Sequence, residues 1–337
     1  MSGLKSASLL VLLGLAGSGS TCNTKSDPGT DVSKDPAVAD VNLDGIDTSA
    51  LTPREKKEWS KYVSQLLAPC SDTPVSIAQC VSEKRSCAKC APAAKMILKG
   101  VRDGQSQEQV EKTFHNRFDA DKVKNVPLDD SPATGPSNAP IVMVEFADFE
   151  CPHCQAMAPL IDKTVDDHKQ NLRFVYKFLP LPGHTHADPA ARAAWAAQQQ
   201  GKFWEMHHKL FANGEHLEQS DLEAYARELG LDVAKFKLDM ASKGAADKIA
   251  ADKKLADSLG VKGTPTIYIN GREYERVQTL DEWIALDLQM MGQAAPPPAP
   301  TGIVLPGASG SAAPSSAPSS APSAAPSAAP SASAKGK

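Results

Sequence analysis

Apolar residues recur along this chain with two different periods, and the change of period divides it. From residue 51 to about 127 the spacing is helical, with Trp59, Val63, Leu66 and Leu67 as the apolar positions of a helix over Arg54 to Leu67. Thr52-Pro53 gives that helix an N-cap and a first-turn proline. A short helix is predicted near Pro74 to Glu83 and another from Cys90 to Val101. Ser106 caps a fourth through Val110 and Phe114, with Gln109 placed to complete a capping box. Gly135 to Ala139 reads as a linker, after which the pattern shortens. Ile141 to Phe146 is a continuous apolar run and Leu172 to Phe178 another, both of the kind expected for buried strands. Helical spacing follows Cys154 and fills a long stretch from Ala190 to Leu259. Thr266 to Ile269, Asn270-Gly271 and Arg272 to Val277 form a strand, turn and strand, and Thr279 to Met290 closes as a helix.

The flanks lack both periods. Lys5 precedes an apolar run from Leu9 to Ala16 and then small residues up to Cys22, the layout of a secretory signal. The run is shorter than the ~20 residues of a membrane-spanning helix. Cys22 stands where an exported lipoprotein carries its acylated cysteine, although Gly19-Ser20-Thr21 departs from the usual Leu-Ala-Gly approach. Residues 23–50 are rich in Asp, Ser, Thr and Pro and are read as a flexible linker, with a signal segment at 1–22. Residues 293–337 are almost wholly Ala, Pro and Ser and are expected to be disordered. The ordered parts are then a small helical region at 51–127 and a second domain at 138–292 with a helical insertion at about 187–260.

Composition adds little until the cysteines are considered. A net charge of -4 with scattered Lys and Arg gives no footprint for nucleic acid. Of the 7 cysteines, the six other than Cys22 suit an oxidising compartment outside the cytoplasm, the periplasm or cell envelope. Cys70, Cys80, Cys87 and Cys90 lie in the helical region, where two structural disulfides of unspecified pairing are the favoured reading. A second redox pair at Cys87-Ala88-Lys89-Cys90 and a four-cysteine zinc site are the alternatives.

Cys151-Pro152-His153-Cys154 carries the chemistry. It falls where a strand ends and a helix begins, so unpaired backbone N–H groups and the helix dipole favour a thiolate at Cys151. The thiolate is the attacking species in disulfide exchange. Pro152 fits the first turn, protonated His153 adds favourable charge, and Cys154 is one turn along to close the ring. Stabilising the reduced form of such a pair makes it an oxidant. Glu145 is an unexpected charge inside an apolar strand. His184, His186, His207 and His208 are assigned to packing and capping; the last two are adjacent and diverge on a helix, so no metal is expected there.

Residues 138–292 resemble the DsbA-like branch of the thioredoxin superfamily, whose namesake is the standard case of an oxidant made by stabilising its reduced form. The resemblance rests on Val144-Glu145-Phe146-Ala147-Asp148-Phe149-Glu150-Cys151-Pro152-His153-Cys154, Phe203-Trp204-Glu205-Met206-His207 and Gly263-Thr264-Pro265-Thr266. It implies an α/β thioredoxin fold with an inserted helical subdomain, here preceded by the small cysteine-containing helical region. It further implies a cis Pro265 against the Cys151–Cys154 pair, a Thr264 backbone edge for substrate peptide, and Glu145 as proton acceptor for Cys154. Lys177 is a candidate partner for Glu145, and Pro159 matches a helix kink. The implied activity is a protein disulfide oxidoreductase, a dithiol oxidase of exported proteins. No cofactor is expected beyond the redox-active disulfide, and re-oxidation by a DsbB-like or vitamin K epoxide reductase-like quinone enzyme is expected. A disulfide isomerase or reductase on the same scaffold, and a non-enzymatic metal-handling or holdase protein, are the alternatives.

Overall fold

The two N-caps read from the sequence, Thr52 and Ser106, start their helices where expected. In the computed structural model, which describes residues 39–292 apart from 276 and 277, Thr52 and Glu55 form a reciprocal capping box on α1 (Pro53–Gln65). Ser76 caps α2 (Ile77–Ser82), α3 follows (Cys90–Arg102), and Ser106 with Gln109 boxes α4 (Gln107–Phe118). These helices enclose a core of Trp59, Val63, Ile77, Ala93, Ile97, Val110 and Phe114. The signal segment, Cys22 and the Ala/Pro/Ser-rich tail lie outside the described residues.

The expected linker ends earlier than residue 50. Leu43 and Ile46 are buried in the same core, and the Val41 amide donates to Ser60 Oγ at 3.0 Å. The cysteines resolve into Cys70–Cys87 and Cys80–Cys90 disulfides. Cys87 and Cys90 are therefore not each other's partners, which overturns the second redox pair, and no thiolate of this region is left for a zinc site. Loops of 17 and 10 residues closed this way stabilise the region by about 3 kcal/mol each in the chain-entropy account.

The second region is built on a five-stranded sheet in the order β1-β3-β2-β4-β5. Its strands are β1 (Ala133–Thr134), β2 (Ile141–Ala147), β3 (Leu172–Phe178), β4 (Thr266–Ile269) and β5 (Arg272–Glu273). β2 and β3 are parallel, and the other pairs are antiparallel. β1, just before the predicted linker, was not expected, and β5 is shorter than the predicted Arg272 to Val277. Asn270 and Gly271 turn the hairpin with φ of 49° and 78°, as a type I′ turn requires. A Cβ on Gly271 would stand 2.4 Å from the Lys124 carbonyl oxygen, so this glycine serves close approach as well as turning.

One sheet face packs on α5 (Pro152–Asp167) and α11 (Leu280–Met290) through Met143, Phe174, Ile267, Met157, Ile161 and Ile284. The other face, with Val144, Phe146, Val175 and Tyr268, meets Ala256 of α10 (Lys243–Leu259). The long helical stretch between the strands is α6 (Ala187–Gln198), α7 (Phe203–Ala212), α8 (Gln219–Glu228), α9 (Val233–Met240) and α10. Six alanines of α6, from Ala190 to Ala197, are buried, and their small side chains let α7 and α9 approach it closely.

Two arginines join the regions. Arg272 donates to the carbonyls of Asn116, Phe118 and Asp119 at 3.2, 3.3 and 2.7 Å, closing the C-terminus of α4 with a cation. Arg117 is 2% exposed, pairs with Asp287 of α11 and lies 4.0 Å from the Trp283 ring centroid. A buried pair is costly to break from one side, because the remaining charge is left uncompensated. Asp287→Ala should lower unfolding stability by about 3–5 kcal/mol, whereas Arg117→Met with Asp287→Leu should cost far less. Urea unfolding of wild type and the two variants checks this, and equal losses in the single and double variants would refute it.

Candidate active site

β2 ends at Ala147, and a turn delivers Cys151 to the N-cap of α5, with Pro152 in the first helical position. Asp148 holds that turn. Its carboxylate accepts from the Glu150 amide at 2.8 Å, the Leu181 amide at 2.9 Å and His184 Nδ1 at 2.7 Å, and the residue is 2% exposed. Next to it, Glu150 accepts from the His186 amide at 2.6 Å, and His186 Nε2 reaches Glu218 at 3.1 Å. The segment before the first cysteine is thus bound to the start of the helical insertion. His184 and His186, expected to pack and cap, take these carboxylates as partners, and Asp148 has no place among the expected site residues. The signal available was an Asp two residues before an amide it can accept from, an Asx turn.

Cys151 and Cys154 are free thiols, the first 4% exposed and the second fully buried. The Thr264–Pro265 peptide is cis, as the resemblance implies, and Cys151 Sγ lies 3.6 Å from the Thr264 carbonyl oxygen. Pro152 and His153 are exposed at the mouth of the site. Pro159 lies inside α5. The structure therefore gathers Cys151, Pro152, His153, Cys154, Thr264 and Pro265 into one place, and sets Cys70, Cys80, Cys87 and Cys90 apart in their own cluster.

Glu145 is 2% exposed, and its Oε1 has no hydrogen-bond partner among the described residues. Burial first, then the charge of Asp162, pushes its carboxyl up to about 8. Burial also pushes the Cys154 thiol far up, with Glu145 the next contributor. The two groups sense one another, and each stays protonated at neutral pH. Lys177 does not pair with Glu145. In the parallel register Glu145 opposes Tyr176 while Lys177 opposes Phe146, so the two charges emerge on opposite faces. Lys177 Nζ instead meets Asp129 at 3.2 Å and Asp252 at 3.4 Å.

On the Glu145 face, His207 is 1% exposed among Phe149, Tyr176, Phe203, Trp204 and Phe211. Burial, then neighbouring His208, pushes its imidazole down to about 3. The packing role expected of His207 agrees with this surrounding. Its ring nitrogens nonetheless do not diverge from His208 as adjacent positions suggest, since a nitrogen of each and an Asp162 oxygen lie within 4.8 Å of one another.

Residues 128–286 match the thioredoxin family Thioredoxin_4. A thioredoxin-like oxidoreductase from Silicibacter pomeroyi DSS-3 is 32% identical, with a TM-score of 0.42 over 49% of this chain and 95% of that one. The thiol-disulfide exchange protein alpha-DsbA2 of Wolbachia pipientis is 19% identical, with a TM-score of 0.41 over 58% and 96%. Na(+)/H(+) antiporter NhaA 3 of Salinispora tropica is 43% identical over 141 residues, 42% of this chain and 22% of the antiporter. The chain thus spans about a fifth of the length of the curated relatives it matches, and no helix among its described residues is long and apolar enough to cross a membrane.

The raised proton affinity of Glu145 has a signed consequence. In the unfolded chain the carboxyl ionises around 4.5, in the fold only around 8, so its ionisation erodes stability as pH rises between those values. Glu145→Gln removes that erosion. The unfolding free energy of the variant relative to wild type should increase from pH 5 to pH 8.5, measured by denaturant titration. A difference that does not change with pH would contradict the assignment of a buried, protonated Glu145.

Proposed function

From the premise that residues 128–286 match the thioredoxin family, we propose that this protein is a DsbA-like thiol–disulfide oxidoreductase, a dithiol oxidase acting through Cys151 and Cys154. The observation that carries the reading is the asymmetry of the pair. Cys154 is sealed with a thiol held strongly protonated, while Cys151 stands at a helix N-terminus against the Thr264 carbonyl. In the oxidised enzyme a substrate thiolate attacks Cys151 Sγ, the Cys151–Cys154 bond breaks, and Cys154 leaves. Its sulfur takes a proton, and protonated Glu145 is the adjacent donor. A second substrate thiolate attacks the substrate sulfur of the mixed disulfide and expels Cys151 as thiolate. The substrate is oxidised by two electrons and the enzyme leaves as the dithiol. Electrons then pass to a membrane quinone-linked oxidase of the DsbB-like or vitamin K epoxide reductase-like kind.

Thr264 supplies the peptide edge beside Cys151, and His153 an exposed imidazole at the mouth. The substrates on this reading are cysteine-containing exported proteins, met in the periplasm or cell envelope, with Cys22 the lipid attachment point. The cysteines of the helical region staple that region and take no part in turnover.

Two measurements test the reading. The reduction potential of the Cys151–Cys154 pair in glutathione buffers should fall near about -120 mV, and a value near about -270 mV would make the protein a reductase. Cys154→Ser should accumulate mixed disulfides with exported proteins on non-reducing gels, and Cys151→Ser should abolish both these adducts and peptide oxidation. Oxidation that survives Cys151→Ser would move the reaction away from this motif.

A further inference from the structure

We propose that Asp162 of α5 and His207 and His208 of α7 hold a divalent transition-metal ion of the zinc class, at a site separate from the cysteine pair. His207 supplies the leading observation. It is 1% exposed, and neither ring nitrogen has a hydrogen-bond partner among the described residues. Buried polar atoms are rarely left unpaired, and those that are call for a reason. One of these nitrogens lies within 4.8 Å of a His208 nitrogen and an Asp162 oxygen.

The spacing suits a metal. Zinc binds imidazole nitrogen and carboxylate oxygen at ~2.0–2.2 Å in a tetrahedron, whose donor–donor edge is then ~3.3–3.6 Å. His208 Nε2 and Asp162 Oδ1 are already 3.3 Å apart. The remaining donor separations, up to 4.8 Å, close by side-chain rotation at the surface, where His208 is 54% and Asp162 42% exposed. His207 is the fixed member and the other two are the adjustable ones.

The surroundings favour a cation and admit one. A cavity of about 450 Å³ between α5 and α7 is lined by Asp162, Asp166, His208, Trp204, Thr134 and Phe174 among others. It gives the ion an approach and leaves space for water as a fourth ligand. Asp166, one helical turn beyond Asp162, and Glu205, one turn before His208, add negative charge around the mouth. Two imidazoles and a carboxylate select zinc or a neighbouring divalent metal over calcium or magnesium, which take oxygen ligands, and over copper(I), which takes sulfur. The Asp162 charge also reaches Glu145, so an ion there joins the metal site electrostatically to the acid beneath Cys154.

The test uses the full chain with the Cys151–Cys154 disulfide closed and remaining free thiols alkylated, so that sulfur cannot ligate. Isothermal titration with Zn²⁺ should show one ion per chain, weakened at least about tenfold by either His208→Ala or Asp162→Asn, both surface changes. Co²⁺ should give visible d–d bands and no thiolate charge-transfer band. His207→Phe should abolish binding; where that core change unfolds the protein, the two surface variants decide. Absence of Zn²⁺ uptake, or uptake unchanged by His208→Ala and Asp162→Asn, overturns the proposal.

Discussion

The parallel pairing of β2 with β3 decides which charges meet. Side chains alternate between faces along a strand, so a slip of one residue would exchange every partner. With Glu145 opposite Tyr176 and Ile267, the carboxyl lies on the face covered by α5, beneath Cys154. Lys177, opposite Phe146, goes to the α10 face. There Asp252 accepts from Lys248 Nζ at 2.8 Å and from the Phe178 amide at 3.0 Å, and lies 3.4 Å from Lys177 Nζ. The buried cations are thereby compensated on one face, while on the other Glu145 Oε1 has no hydrogen-bond partner among the described residues. That imbalance is tolerable because a carboxyl, unlike a lysine held among acids, can neutralise itself by keeping its proton.

Local chemistry was legible in the sequence and long-range geometry was not. The caps at Thr52 and Ser106 act within three residues of themselves, and each forms a reciprocal box. The strands Ile141 to Phe146 and Leu172 to Phe178 announced themselves because a strand covered on both faces is apolar throughout. The Asn270-Gly271 turn was readable for the same local reason, although β5 ends after two residues. The docking of Leu43 and Ile46, the two-residue β1 and the joining of Arg117 to Asp287 depend on partners far along the chain, and no period marks them. The cysteine pairing is of this kind too: four cysteines allow three pairings, and only the folded path through α2 and α3 chooses one.

The site shows the same division. Cys151, Pro152 and Cys154 needed only the strand-to-helix junction, and Glu145 stood out as a charge in an apolar run. Thr264 and Pro265, over a hundred residues on, came from the family resemblance rather than from the pattern. Lys177 illustrates the limit. Position along two adjacent strands made it a plausible partner for Glu145, but only the register tells which face each residue takes. Asp148 carries no pattern signal of its own because its role is mechanical, tying the turn before Cys151 to Leu181 and His184.

The surroundings of the two cysteine sulfurs differ, and on the proposed function that difference confines reactivity to one of them. Cys154 and Glu145 are buried close enough for the charge of one to oppose ionisation of the other, and burial penalises both. A second negative charge inside the site therefore has no low-energy place. Cys151 is different, since it caps a helix whose first backbone N–H groups have no intrahelical partners. On the proposed function, disulfide exchange at this pair would keep incoming and outgoing charge at the mouth and move only a proton beneath. The clamp from Asp148 and Glu150 to His184 and His186 keeps that mouth in register with the helical insertion. The same helices that seal Cys154, α5 and α7, also carry Asp162, His207 and His208. The charge of Asp162 is felt at Glu145, whose proton affinity it raises.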